Sequence, residues 1–385
     1  MKILLVGGTW TSDNIRSENE PTPHASSIVN KIEEAILHIN ELQSEIYYSD
    51  IECVTKNGGN FSDLSAHLQL AKNADITIWM PNVPDNDLPK FRDVKSVAPH
   101  TILITSKRND NEKYNFGEVV RRALGTKSNL LIEFSKKPSG IFHMSIIDPL
   151  GNEWYSGVDI HDMVKVLIKR ATQLKNITRQ GTIQSNIENV QQMPEDVNNF
   201  VNIVQTCGKV FAEYTPSADN TTRLLGNCST ANPTRCSKGF PTMRGTENII
   251  FVSQRNVDKK ALTVENLVPV SFDGKIIKYA GENKPSVDTP IQVRLYDLLP
   301  NINYMIHSHC YIKGAPFTET CIPCGGLEEV EEVMKVIDSS LYERDTMFFT
   351  INLKGHGSLV MAYNTVLLDG IEKDYYPREF PEKQY

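Results

Sequence analysis

Three histidines and one aspartate stand where their side chains could share a ligand. The run KPSVDTPIQVRLYDLLPNINYMIHSH spans Lys284–His309. Its middle, Thr289 to Leu299, reads as a short helix. Pro290 suits the first turn, and Ile291, Leu295, Leu298 and Leu299 make one apolar face. Pro300 and Asn301 end it. Asn303 to His309 then reads as a strand, whose alternation places His307 and His309 on one side of a sheet. Asp288 precedes the helix, and His356 follows in NLKGHGSL, in a turn after an apolar strand. Three neutral imidazoles hold a divalent cation, zinc foremost or a relative such as Mn2+, with positions left open to substrate oxygens. Spacing alone also allows three ordinary hydrogen-bonded or surface histidines.

The elements around these residues fall into two sets. From Met1 to about Ala171, apolar strand-like runs alternate with amphipathic helices. Lys2–Val6, Ile76–Met80, Ile102–Thr105 and Leu130–Phe134 are strands. Ala25–Ile39, Leu64–Ala74, Glu118–Leu124 and Asp159–Leu174 are helices. That alternation predicts an α/β domain, a doubly wound parallel sheet of Rossmann or flavodoxin type, over 1–175. Ligands of such sheets sit at the carboxyl ends of the strands. The GGTWTSDN turn after the first strand, with His24 in the following segment, is the expected binding loop. It lacks both G-x-G-x-x-G and a P-loop, so a nucleotide or flavin and a plain glycine turn both remain open. Residues 176–194 are polar and read as a linker. Glu195–Tyr214 opens the second domain, 195–385, as a helix with Val197, Phe200, Val201, Val204 and Phe211 inward.

Composition narrows the class of partner. The 385 residues carry a net charge of −7 without a basic block, which argues against nucleic acid or an anionic membrane. No apolar run approaches the ~20 residues a membrane-spanning helix needs. The N-terminus reads as a first strand and not as a signal peptide. Seven cysteines without regular spacing suit a reducing compartment, so a cytoplasmic location is expected.

PSVDTPIQVRLY, MIHSH and the later GHG together resemble the class II aldolase/adducin family. The Asp-Thr-Pro form looks most like the L-ribulose-5-phosphate 4-epimerase branch, the L-fuculose-phosphate aldolase branch having Glu there. The resemblance implies a C-terminal α/β/α domain with a mostly antiparallel sheet and His307, His309 and His356 as metal ligands. Asp288 would ligate the metal or move the proton. Gly226–Ser229 matches a phosphate-holding turn, which brings in Asn227 and Ser229. Ser286 matches the serine of the Pro-Ser motif. Arg255-Asn256 stands where the family usually has Thr/Ser-Gly; the guanidinium fork suits a carboxylate or phosphate, but the glycine's close approach is lost.

The expected chemistry is cleavage or formation of a C–C bond in a phosphorylated or otherwise anionic keto sugar, through a metal-stabilised enediolate. Aldolase ranks first. A 4-epimerase and a methylthioribulose-phosphate-type dehydratase are alternatives on the same scaffold, and an adducin-like interaction module is a further one. The epimerase Ala-Asp-Tyr segment is missing between His309 and His356, where Glu319 is the nearest acid. Cys321 and Cys324 form a C-x-x-C that reads as redox pair, metal ligands or neither. GLEEVEEVMKVI reads as a helix with a solvated acidic face, not a cation site. Family assemblies imply a homo-oligomer, a tetramer favoured, in which Tyr375, Tyr376 or Tyr385 of the tail could reach a neighbouring site.

Overall fold

The computed structural model describes residues 1–12, 25–41, 51–83, 93–109, 113–136, 141–179, 183–185, 187, 193–214, 227–231, 248–255, 257–272, 276–338, 347–380 and 382–384. The chain forms two compact units, Met1–Asn176 with Phe380–Tyr385, and Ile177–Glu379.

In the first unit the elements run β1 (Lys2–Thr11), α1 (Ala25–Glu41), β2 (Glu52–Asn60), α2 (Phe61–Leu70), β3 (Ile76–Trp79), α3 (Val94–Val97), β4 (Ile102–Asn109), β5 (Lys113–Asn115), α4 (Phe116–Gly125), β6 (Leu130–Lys136), β7 (Phe142–Ile147), β8 (Glu153–Gly157) and α5 (Ile160–Arg179). The seven-stranded sheet has the order β2-β1-β3-β4-β6-β7-β8. Its first five strands are parallel neighbours. Ile3, Leu5, Ile76, Ile78 and Ile104 face α1 and α5, while Leu4, Val6, Trp79 and Leu103 face α2 and α3. Both faces are therefore covered, and near-continuous apolar runs follow.

Two features depart from the sequence reading. β7 and β8 are antiparallel, because the connections before each are too short for a helical crossover. The Gly7–Thr11 stretch, expected as a turn, continues β1 past a register shift between Gly7 and Trp10, with Trp10 in the core. The strand order reverses direction between β1 and β3.

The second unit continues with β9 (Ile183–Gln184), α6 (Val197–Tyr214), β10 (Asn227–Ala231), β11 (Asn248–Ser253), β12 (Leu267–Phe272), β13 (Ile277–Tyr279), α7 (Thr289–Leu298), β14 (Tyr304–Ser308), β15 (Tyr311–Ile312), α8 (Glu328–Val336), β16 (Phe348–Leu353), β17 (Gly357–Ala362) and β18 (Tyr375–Tyr376). A final strand, β19 (Glu382–Gln384), pairs with β5 in the first unit. The main sheet runs β16-β17-β14-β10-β11-β12-β13-β9, antiparallel except for the β13–β9 pair. One face packs Phe251, Tyr304, Ile306 and Val360 on Phe200, Val204 and Phe211 of α6. The other packs Val252, Met305 and Met361 on Leu295 and Tyr296 of α7 and Val333 of α8. The unit is thus a helix–sheet–helix sandwich. Within the stretch expected as linker, α5 runs to Arg179, Ile183 and Gln184 pair with β13, and Ile187 joins the core.

Candidate metal centre

β14 lies between β17 and β10, and its five residues are all buried. Alternation sends Tyr304 and Ile306 toward α6 and Met305 toward α7 and α8. His307 follows Met305 onto that second face, among apolar side chains. Burying an imidazole there costs free energy unless its N–H is bonded. The His307 Nδ1–H donates to the Ser358 carbonyl at 3.0 Å, which leaves the Nε2 lone pair pointing inward.

His309 follows one residue past the strand, and His356 ends the tight turn between β16 and β17. The three rings stand 4.6–5.2 Å apart between centroids. One ligating atom from each lies within 4.8 Å of the others. Gly357 makes that approach possible. Its φ is 149°, and a Cβ there would meet the Ser308 carbonyl oxygen at 1.9 Å and the His309 Cα at 2.7 Å. Only glycine lets the strand after His356 press against the end of β14. The turn is braced by Tyr311, whose hydroxyl accepts the Gly355 N–H at 3.2 Å, and by Thr318, whose hydroxyl accepts the Lys354 N–H at 2.8 Å.

A buried carboxylate completes the cluster. His356 Nδ1 lies 2.7 Å from Glu329 Oε1 on α8, with both side chains inaccessible to solvent or nearly so. Burial raises the Glu329 carboxyl and, acting alone, would lower the His356 imidazole; the Glu329 carboxylate and the Cys324 thiol together outweigh burial at His356 and push it up. His356 donates from Nδ1 to the Glu329 carboxylate and turns Nε2 toward the other rings. At His307, burial and then the His356 charge push the pKa down to about 4 against the pull of Asp288 and the Ser358 carbonyl. Its Nε2 is therefore a free base at neutral pH.

The Nε2 atoms of His307 and His356 are buried and make no hydrogen bond among the described residues. Two such unbonded nitrogens beside a third imidazole, with both Nδ1 positions tied to oxygen acceptors, fit a divalent cation, which would take the place of the His356 Nε2 proton. Metal-bound histidines are oriented by such outer partners.

Asp288 occupies the N-cap position of α7, yet its side chain caps nothing. Its Oδ2 lies 4.0 Å from His307 Nε2, and its Oδ1 accepts from the Cys324 thiol at 3.5 Å. Asp288, Ile291, Gln292, His307, Glu329, Val333, Leu353 and Leu359 line a small pocket. Neither Cys321 nor Cys324 is in a disulfide.

The other expected site residues lie on neighbouring strands and loops. Asn227 and Ser229, expected in a turn, lie on strand β10 opposite His307 and Met305; only their backbone is described. Arg255 is exposed; its N–H donates to the Lys284 carbonyl, and Ser286 N–H donates to Ser253 O, so these two segments run side by side. The Ser286 hydroxyl accepts the Asp288 N–H at 3.4 Å, a local turn contact. Glu319 is exposed, and its carbonyl accepts from Lys354 Nζ at 3.0 Å. Tyr375 is a core residue against Phe211, and Tyr376 pairs with Tyr311 across β15 and β18. Tyr375 therefore cannot be a free arm. His24, Asn256 and Tyr385 lie outside the described residues.

Sequence reasoning missed Glu329. The α8 acids do not form one solvated face: Glu328 and Glu331 are exposed, but Glu329 and Glu332 are buried with Val330, Val333 and Val336. The signal was present, since Glu329 sits four residues before Val333 and Glu332 four before Val336, on the apolar stripe.

Residues 217–334 match the family described as Class II Aldolase and Adducin N-terminal domain. The second unit carries a class II aldolase/adducin domain. His307 and His309 fall within the matched span, and His356 lies beyond it. Among solved structures, an aldolase II superfamily protein from Pseudomonas syringae matches at 14% identity over 46% of this chain and 69% of that one, with a TM-score of 0.30. The DNA/pantothenate metabolism flavoprotein from Streptococcus pneumoniae matches at 15% identity over 44% of this chain and 97% of that one, with a TM-score of 0.33.

Proposed function

We propose that the second unit is a metal-dependent lyase that cleaves or forms a C–C bond in an anionic keto sugar. The observation that carries this reading is the convergence of His307, His309 and His356, two of them with Nε2 atoms buried and unbonded among the described residues. A divalent cation held by these residues, zinc foremost, would supply Lewis acidity for a bound carbonyl and its neighbouring hydroxyl.

The chain's own residues supply the rest. Asp288, beside His307, is the carboxylate placed to take and return the proton of a substrate hydroxyl. Glu329 keeps the His356 ring in one orientation. Ile291, Val333, Leu353 and Leu359 keep water from the inner side of the pocket. Arg255 and Ser286, on the paired segments leading to Asp288, hold the substrate's phosphate or carboxylate, joined by the donors of Asn227, Ser229 and Asn256. Glu319 is not assigned the proton, because its carbonyl is tied to Lys354 and its side chain faces solvent.

The active protein is a cytoplasmic homo-oligomer, a tetramer by family analogy, and light scattering reads its size. In the first unit, the crevice at the carboxyl ends of β1 and β3, where the strand order reverses, is the place for a nucleotide or flavin. The test of the main reading is aldehyde release from keto-sugar phosphates. We expect release that a chelator abolishes and one equivalent of zinc restores. Chelator-insensitive release, or none from any anionic keto sugar by the metal-loaded protein, overturns it.

A further inference from the structure

The aldol-type reading uses the three imidazoles and Asp288 and leaves the Cys324 thiol without a part. Cys324 is held by the turn Pro323–Gly326, in which the Gly326 N–H donates to the Pro323 carbonyl at 2.9 Å. Gly325 has φ +83°, and a Cβ there would meet Ile177 at 3.0 Å, so the turn depends on glycine. The same turn leads into α8, with the Glu329 N–H donating to the Gly326 carbonyl. One short segment therefore delivers both Glu329 to His356 and Cys324 to Asp288.

The donor spacing points to a ligand. Cys324 Sγ stands 3.5 Å from Asp288 Oδ1. Asp288 is the hydrogen-bond acceptor of that thiol, and a cation bonded at about 2.3 Å to the Cys324 sulfur and about 2.0–2.1 Å to an imidazole nitrogen would hold those two donors roughly 3.5 Å apart. Asp288, Cys324 and His356 each place a ligating atom within 4.8 Å of the others, and so do His307, His309 and His356. The two sets share His356, and Asp288 Oδ2 stands 4.0 Å from His307 Nε2, so they adjoin. The buried, unbonded Nε2 of His307 is an independent sign that something binds there.

We propose that Cys324 is a ligand of the metal in this site, giving a thiolate–imidazole donor set that selects a borderline-soft cation such as zinc over manganese or magnesium. This rests on the metal-dependent reading above. On binding, the S–H bond is replaced by a bond from sulfur to the cation, and the thiol proton leaves to solvent, one per site.

Cobalt(II) replaces zinc and reports its ligands optically, so the probe is cobalt(II) added to the chelator-stripped full-length protein. Visible d–d bands report binding to the cluster, and a near-ultraviolet charge-transfer band reports thiolate coordination. We expect both in the unsubstituted protein and in Cys321→Ser. Cys324→Ser should lose the near-ultraviolet band, keep the visible bands, and hold zinc about 10–100-fold more weakly while manganese affinity changes little. Circular dichroism confirms that each variant is folded. Visible bands without the near-ultraviolet band, or that band surviving in Cys324→Ser, overturn the thiolate and leave the three-histidine site standing. If cobalt(II) gives neither band, both the thiolate and the metal site on which it rests are overturned.

Discussion

An aspartate at a helix N-cap ordinarily accepts a backbone N–H of the first turn, a contact worth about 0.5–2 kcal/mol. Asp288 forgoes that bond and turns its oxygens toward Cys324 and His307. A residue that gives up local stabilisation for a place in a cluster is a functional candidate. Asp288→Asn removes the proton acceptor at nearly constant shape. We expect turnover to fall about 100-fold or more while zinc content is preserved, measured as kcat beside metal analysis. Glu329 acts through His356. Glu329→Gln should weaken zinc about 10–100-fold in a chelator competition, because the Nδ1 partner loses its charge. Glu329→Ala should also destabilise the fold by about 3–5 kcal/mol, since it leaves His356 buried opposite a void.

At the scale of the elements, two contacts position the histidines: β14 against β17, and the turn at Gly355–Gly357 against the end of β14. Gly357→Ala should strain a φ of 149° and drive a methyl group into the Ser308 carbonyl. The expected loss is at least about 1–3 kcal/mol of stability together with most of the zinc affinity, read by denaturant melts and metal titration. Much of this was legible in the sequence. Pro290 and the apolar spacing gave α7, and alternation gave β14 with His307 on an inward face. The five α6 residues expected inward, Val197, Phe200, Val201, Val204 and Phe211, are all buried. What could not be read was charge buried against the usual preference. An acid on an exposed helix face and one buried on a histidine look alike until the sheet partner is known, and Glu329 was lost that way. β7 and β8 are not among the strands read from the sequence, and connection length decides their direction only once pairing is known. The Gly7-Gly8 pair suggested a turn, whereas the chain uses it for a register shift inside β1.

At the scale of the molecule, the C-terminal residues return to the first unit. β19 pairs with β5, and the Phe380 ring stands 6.3 Å from that of Phe116. Deleting Phe380–Tyr385 should lower the first unit's thermal transition by a margin equivalent to about 1–3 kcal/mol, with the second unit's zinc content unchanged; calorimetry and metal analysis read the two. No helix among the described residues is long and apolar enough to cross a membrane. The central claim is that His307, His309 and His356 together hold a divalent metal ion, and titration of zinc into the chelator-stripped full chain tests it most directly. We expect one tightly bound equivalent per chain, and none in the folded variant carrying His307→Ala, His309→Ala and His356→Ala. No tight binding in the unsubstituted protein, or an undiminished equivalent in the triple variant, contradicts the account.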